Sequence, residues 1–130
     1  MAQNDTLASI YSQILIYERL GRKVCRFSPI SKMIKANLSI LQKEGYIGEF
    51  KEIPNNRGGI LEINLLSNIN KCGVIKPRYP VTKSEIDKFE KRFLPSRNMG
   101  ILIISTSKGL ITHNEAKKKS TGGKLIAYCY

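Results

Sequence analysis

Hydrophobic residues recur at two spacings along this chain of 130 residues, and the spacings predict its helices and strands. Over residues 7–17 they recur every three or four positions, which predicts an amphipathic helix. The same spacing over residues 30–41 predicts a second helix, which Ser28 and Pro29 would open. A short strand is predicted around Val24, between the two helices.

Alternating apolar and polar residues follow the second helix. Residues 46–53 and 61–65 are predicted strands, and the turn-forming residues 54–59 would join them as a hairpin. The first part of the chain is therefore helix, strand, helix, strand, strand. We predict an α+β fold with an N-terminal domain over residues 1–67 and a C-terminal domain over residues 68–130.

The second part of the chain opens with proline-rich and helical segments. Two prolines within residues 76–80 predict an extended connector rather than a central strand. Thr82 and Glu85 have the spacing of a capping box, in which the hydroxyl accepts from the backbone. An apolar stripe over residues 86–93 predicts a helix that ends before Pro95.

The final third is predicted to be mainly β, with one short helix. Residues 100–104 are apolar or small and rich in branched side chains, which indicates a buried strand leading into a hydroxyl-rich loop at residues 105–107. Thr112 and Glu115 form a second capping-box pattern, which predicts a helix over residues 114–119. The following glycine pair permits positive φ and close backbone approach, and residues 124–130 alternate as a half-buried strand.

Charge changes the picture, because it indicates the kind of partner. The chain has 22 basic and 10 acidic residues and a net charge of +12. Residues 1–66 hold 9 basic and 6 acidic side chains (+3), and residues 67–130 hold 13 and 4 (+9). Such an excess predicts a polyanion as partner, nucleic acid before an acidic membrane surface.

The sequence lacks the motifs of several functional classes. The chain has three dispersed cysteines and a single histidine, so we predict no metal site, no cofactor and no disulfide framework. Cys129 is predicted to lie on the inward face of the last strand and to be poorly reactive. Neither a serine-hydrolase elbow nor a phosphate loop is present, and His113 is expected at the surface, so no enzymatic activity is predicted. The absence of a long apolar run and of a secretory pattern predicts neither a membrane span nor a leader.

The motifs of the final third also resemble a known family. Ser105-Thr106-Ser107, then Gly109, then Glu115-Ala116-Lys117 and Gly122-Gly123, follow in the order and spacing of the S-eight family of small-subunit ribosomal proteins. Ser31-Lys32 matches the same family near the start of the second helix. Lys76-Pro77-Arg78 resembles its archaeal and eukaryotic cytosolic branch.

This resemblance implies a cytoplasmic structural protein of the small ribosomal subunit, without enzymatic activity or a small-molecule substrate. It implies primary binding to the central domain of small-subunit rRNA during assembly, beside other ribosomal proteins. The candidate RNA contacts are Ser31, Lys32, Lys76, Arg78, Tyr79, Ser105, Thr106, Ser107, Lys108, Lys117, Lys118, Lys119, Gly122, Gly123 and Lys124.

The residues alone leave other interpretations open. Lysines on a helix face are commonly only solvated, and the segment over residues 76–80 also fits a rigid surface linker. A free cytosolic basic protein that binds double-stranded RNA without sequence preference would have the same charge. A peripheral membrane protein is disfavoured, because no basic amphipathic helix with an aromatic apolar face is present.

Overall fold

A computed structural model describes residues 6–28, 30–54, 59–96 and 99–130. The described residues form two compact units, the first ending at Asn70 and the second beginning at Lys71. They contain four α-helices and two antiparallel sheets, which confirms the predicted α+β class. That the units are separate domains, with RNA binding in the second, stays a prediction.

The N-terminal unit has two helices and a three-stranded sheet with strand order β1-β3-β2. This element order confirms the predicted helix, strand, helix, strand, strand. The described elements of the unit are α1 (Thr6–Arg19), β1 (Val24–Phe27), α2 (Lys32–Lys43), β2 (Ile47–Ile53) and β3 (Ile60–Leu65).

Helix α2 begins later than predicted. Its N-cap is Ser31, whose hydroxyl accepts a hydrogen bond from the backbone N–H of Ile34 at 3.2 Å. A serine hydroxyl in this position satisfies one of the backbone donors that a helix leaves free at its first turn. The prediction that Ser28 opens the helix is therefore wrong. Pro29, which was predicted in the first turn, and residues 55–58 of the predicted hairpin turn lie outside the described residues.

The C-terminal unit is built around a five-stranded sheet. Its strands run in the order β4-β8-β6-β7, and β5 also pairs with β8. The described elements are β4 (Cys72–Val74), β5 (Pro80–Val81), a 3₁₀ turn (Lys83–Glu85), α3 (Ile86–Phe93), β6 (Ile101–Thr106), β7 (Gly109–Thr112), α4 (His113–Lys119) and β8 (Gly123–Cys129).

Two predictions near α3 are corrected. Pro80 begins a two-residue strand and pairs with Lys124, so the predicted connector ends in the sheet. Proline is tolerated as the first residue of a strand. Thr82 donates its hydroxyl hydrogen to Glu85 Oε1 at 2.9 Å and makes no capping bond to the backbone, and the helix opens with the 3₁₀ turn instead.

The core of the C-terminal unit fixes the positions of α3 and α4. Ile86 and Phe89 of α3 and Ala116 of α4 pack in one cluster with Leu102 and Leu125 of the sheet. Burying an aliphatic or aromatic side chain contributes roughly 1.5–3 kcal/mol. Both helices are therefore held against the sheet, whose strands carry the candidate contacts Ser105, Thr106, Gly123 and Lys124. Within the part of the chain that the structure describes, each helix is too short or too polar to span a bilayer.

Candidate nucleic-acid interface

One depression on the C-terminal unit brings together hydroxyl groups and lysines that are distant in sequence. It lies between the β6–β7 turn and the end of α4 and has a volume of about 260 Å³. We name it the hydroxyl–lysine depression. Its lining residues are Thr106, Ser107, Lys108, Ile111, Lys119, Ser120 and Thr121.

The β6–β7 turn is tighter than the predicted loop. Ser105 and Thr106 lie in β6, so only Ser107 and Lys108 form the turn, and the prediction of a loop at all three hydroxyl residues is wrong. The Thr106 hydroxyl donates to the carbonyl of Gly109 at 2.8 Å and accepts from the N–H of Lys108 at 3.2 Å. These bonds fix the turn and leave the Ser107 side chain exposed.

Helix α4 provides the other wall of the depression. The Thr112 hydroxyl accepts from the N–H of Glu115 at 3.3 Å, which confirms the threonine half of the predicted capping box, although the helix begins at His113. Its end is set by Ser120, which adopts a left-handed conformation with φ 51°. Lys119 lies in the last turn and is exposed, where the negative end of the helix dipole favours a cation.

Gly122 and Gly123 allow close approach of backbone segments within the fold. Neither Gly122 nor Gly123 has the positive φ that the sequence allowed. A Cβ on Gly123 would overlap the carbonyl oxygen of Ser105, and one on Gly122 would overlap the carbonyl oxygen of Val81. The close approach that the pair permits is thus used inside the sheet, where β8 meets β6 and β5.

The opposite side of α4 holds a buried polar network, here named the Glu90 network. Lys117 Nζ lies 2.6 Å from Asp87 Oδ1 and 3.0 Å from Glu90 Oε1. Burial alone would raise the pKa of Glu90, but hydrogen bonds from Lys117 and His113 outweigh it and hold that pKa below the ordinary value. Burial would lower the pKa of Lys117, but its bonds to Asp87 and Glu90 raise it.

His113 completes this network, and the prediction that it lies at the surface is wrong. Its side chain is 0% exposed. Nδ1 accepts from the backbone N–H of Leu102 at 3.1 Å, so the ring proton is on Nε2, which lies 2.9 Å from Glu90 Oε2. The histidine therefore joins α3, α4 and β6 as a structural group.

The other lysines of the C-terminal unit differ in exposure from Lys117. Lys108, Lys118 and Lys124 are exposed, and none of them has an ion-pair partner among the described residues. Lys124 pairs across the sheet with Ser105 on one side and Pro80 on the other. Its ammonium group thus belongs to the β8 surface and does not line the depression.

The remaining candidates do not line the depression either. Lys76 and Arg78 are exposed, and the Tyr79 ring stacks on Phe89 with centroids 5.5 Å apart, while the Arg92 guanidinium lies 5.4 Å from the same ring. One face of Tyr79 is thus already occupied. In the N-terminal unit, Ser31 caps α2 through its hydroxyl and Lys32 is exposed in the first turn of that helix.

Sequence reasoning missed residues on both sides of α4. Ser120 and Thr121 line the depression, and their position between the lysine run and the glycine pair was a usable signal. Glu90 is buried at 5% exposure. It lies four residues after Ile86 and three before Phe93, inside the apolar stripe of α3, and this placement could have identified it.

A family model provides an independent comparison. The model described as Ribosomal protein S8 matches residues 5–130, nearly the whole chain. Proteins of that family are non-enzymatic structural proteins of the small ribosomal subunit that bind RNA and act in translation, which confirms the prediction of no enzymatic activity. Since the match extends through both compact units, the chain belongs to the ribosomal protein S8 family.

Proposed function

We propose that this chain is a primary rRNA-binding protein that contacts the central domain of small-subunit rRNA and supports its assembly. The C-terminal unit makes the main contact, through the hydroxyl–lysine depression, and other small-subunit proteins are its neighbours. The lysine-proline-arginine segment over residues 76–78 supports the archaeal or eukaryotic cytosolic branch, and hence a cytoplasmic ribosome.

One observation carries the proposal. Lys108 and Lys119 meet at the depression beside the Ser107, Ser120 and Thr121 side chains, and neither lysine has an ion-pair partner among the described residues. Free ammonium groups neutralise phosphates, and hydroxyl groups donate to and accept from 2′-hydroxyls and base edges. A surface with both groups fits an irregular RNA site better than a uniform duplex.

The test compares an uncharged contact with a charged one. Ser107→Ala should cost roughly 1–3 kcal/mol of binding to a central-domain rRNA fragment, because an RNA group loses its partner. The salt dependence should not change, since the serine releases no counterion. Affinities for the rRNA fragment and for a random duplex are measured across a salt series, with Ser84→Ala on the 3₁₀ turn as the matched control.

The competing function predicts a different pattern. A free protein that binds double-stranded RNA by charge alone would show equal affinity for the two RNAs, and Ser107→Ala would change neither. Such a protein would also fail to sediment with small subunits at moderate salt. Either result would refute the assignment of a specific rRNA site to the depression.

A further inference from the structure

Two of the three cysteines face each other across a strand pair of the C-terminal unit. Cys72 on β4 lies directly opposite Cys129 on β8 in the antiparallel register. Directly opposed residues of such a pair project from the same face of the sheet, so the two thiols are neighbours. Both cysteines are buried, and neither forms a disulfide.

The hydrogen bonds beside this pair define its geometry. Lys71 and Tyr130 exchange both backbone N–H to C=O bonds, each 2.8 Å long. In an antiparallel ladder such pairs alternate with pairs that make no hydrogen bonds, so Cys72 and Cys129 form a non-hydrogen-bonded pair. In such pairs the Cα atoms are typically about 4.5 Å apart, within the range of about 4.4–6.8 Å that a disulfide spans.

We propose that Cys72 and Cys129 form a dithiol site that a two-electron oxidant of the hydroperoxide class converts into a cross-strand disulfide. Cys72 reacts first, because it is 5% exposed on a strand at the sheet edge, whereas Cys129 is 0% exposed on a strand with neighbours on both sides. The site is distinct from the RNA-binding surface and does not depend on the proposed function.

The reaction balances in two steps. The Cys72 sulfur attacks one peroxide oxygen, the O–O bond breaks, and the leaving hydroxide takes the thiol proton as water, which gives a sulfenic acid. The Cys129 sulfur then attacks the Cys72 sulfur, the S–O bond breaks, and the second hydroxide leaves as water with the Cys129 proton. The two sulfurs lose two electrons in total, and the peroxide gains two.

Cys25 is a natural internal control. It lies on β1 opposite Ile63, so no thiol faces it across the strand pair. Burial raises the pKa of Cys25 to about 11, against a smaller opposing effect of a hydrogen bond from Gln13. Because the thiolate is the nucleophile, Cys25 should stay reduced while the pair reacts.

The experiment treats the folded full chain with hydrogen peroxide and blocks the remaining thiols after denaturation. We expect the loss of two of the three thiols, a mass lower by two hydrogen atoms, and one cross-linked peptide that contains Cys72 and Cys129. Dithiothreitol should reverse all three changes. Cys25→Ala should give the same yield of the cross-link, and Cys72→Ala should abolish it.

The wild-type peptide map decides the matter even if a variant folds poorly. A cross-link that involves Cys25, dimers between chains as the only disulfide product, or sulfinic acid at Cys72 with Cys129 still reduced would each overturn the proposal. So would three intact thiols at a peroxide dose that leaves the circular dichroism spectrum unchanged. Circular dichroism recorded before and after treatment separates reaction of the folded chain from reaction after unfolding.

Discussion

The two sides of α4 carry lysines of the same type that serve different purposes. Lys117 has a side chain that is 28% exposed and bonds to two carboxylates, whereas Lys119 is exposed at the hydroxyl–lysine depression and has no ion-pair partner among the described residues. The two residues are about 200° apart around the helix, because each residue turns it by about 100°. A run of three lysines is therefore not one electrostatic patch.

The balance of charges explains the contrast between Lys117 and Lys119. In the Glu90 network, one ammonium group faces the carboxylates of Asp87 and Glu90, so one positive and two negative charges leave −1, with His113 neutral. The charge of Lys117 is therefore already balanced by carboxylates. Lys108 and Lys119, which line the depression on the other side, have no ion-pair partner among the described residues.

The largest effect should come from removing the buried carboxylate. Glu90→Ala leaves His113 and Lys117 without their shared partner, which should lower the free energy of unfolding by about 3–5 kcal/mol. Asp87→Ala is the matched control, because the Asp87 side chain is 61% exposed and a surface pair contributes about 1 kcal/mol or less. Urea unfolding measures both variants, and equal losses would show that the network is not buried in solution.

The next largest effect tests whether Gly123 is needed for the stability of the sheet or for RNA binding. Gly123→Ala places a methyl group on the Ser105 carbonyl, and the overpacking should cost about 1–3 kcal/mol of stability or more. Gly73→Ala is the control, since the three nearest atoms to a Cβ there all belong to the Tyr128 side chain, at 3.2–3.4 Å, and none to the backbone. If Gly123→Ala unfolds like the wild type but binds rRNA weakly, the glycine faces RNA.

Two single substitutions then compare Lys117 and Lys119 directly. Lys119→Ala should leave stability unchanged and reduce the salt slope of RNA binding by about 0.7–0.9, the contribution of one phosphate contact. Lys117→Ala should leave the slope unchanged and cost roughly 1–3 kcal/mol of stability, because Glu90 loses a donor. The comparison fails if both variants change the slope by the same amount.

The smallest effect concerns pH. The pKa of Glu90 is lowered from 4.5 in the folded chain, so its stabilising contribution is present above pH 4.5. That contribution is lost as the pH falls from 4.5 through the lower folded value. Wild-type protein should therefore lose stability over this range faster than Glu90→Gln does, and parallel curves from urea melts at several pH values would contradict the assignment.

Local signals in the sequence predicted local structure well. The spacing of Thr112 and Glu115 identified a helix start to within one residue, because an N-cap bond joins positions three apart. The alternation over residues 61–65 identified β3, because successive side chains of a strand point to opposite faces of the sheet. The threonine of the hydroxyl run was assigned to a loop although threonine favours strands, and β6 continues through Thr106.

Contacts between residues distant in sequence could not be predicted from the sequence alone. Glu90 and His113 are 23 residues apart, and no spacing rule connects an acid on one helix to a histidine on another. The same holds for the depression, which joins Ser107 to Lys119 through the packing of α4 on the sheet. The sequence therefore identified part of the depression's lining, Thr106, Ser107, Lys108 and Lys119, whereas the division of the lysines between fold and surface required coordinates.

The position of β8 determines the order in which the chain can fold while it is being synthesised. Strands β4, β5 and β6 all pair with β8, which comes after them in the chain. The N-terminal unit contains both partners of each of its strand pairs by residue 65, so it can fold while later residues are still in the exit tunnel. The C-terminal sheet has to wait for residues 123–129, and the RNA-binding surface proposed for it forms only when translation has passed them.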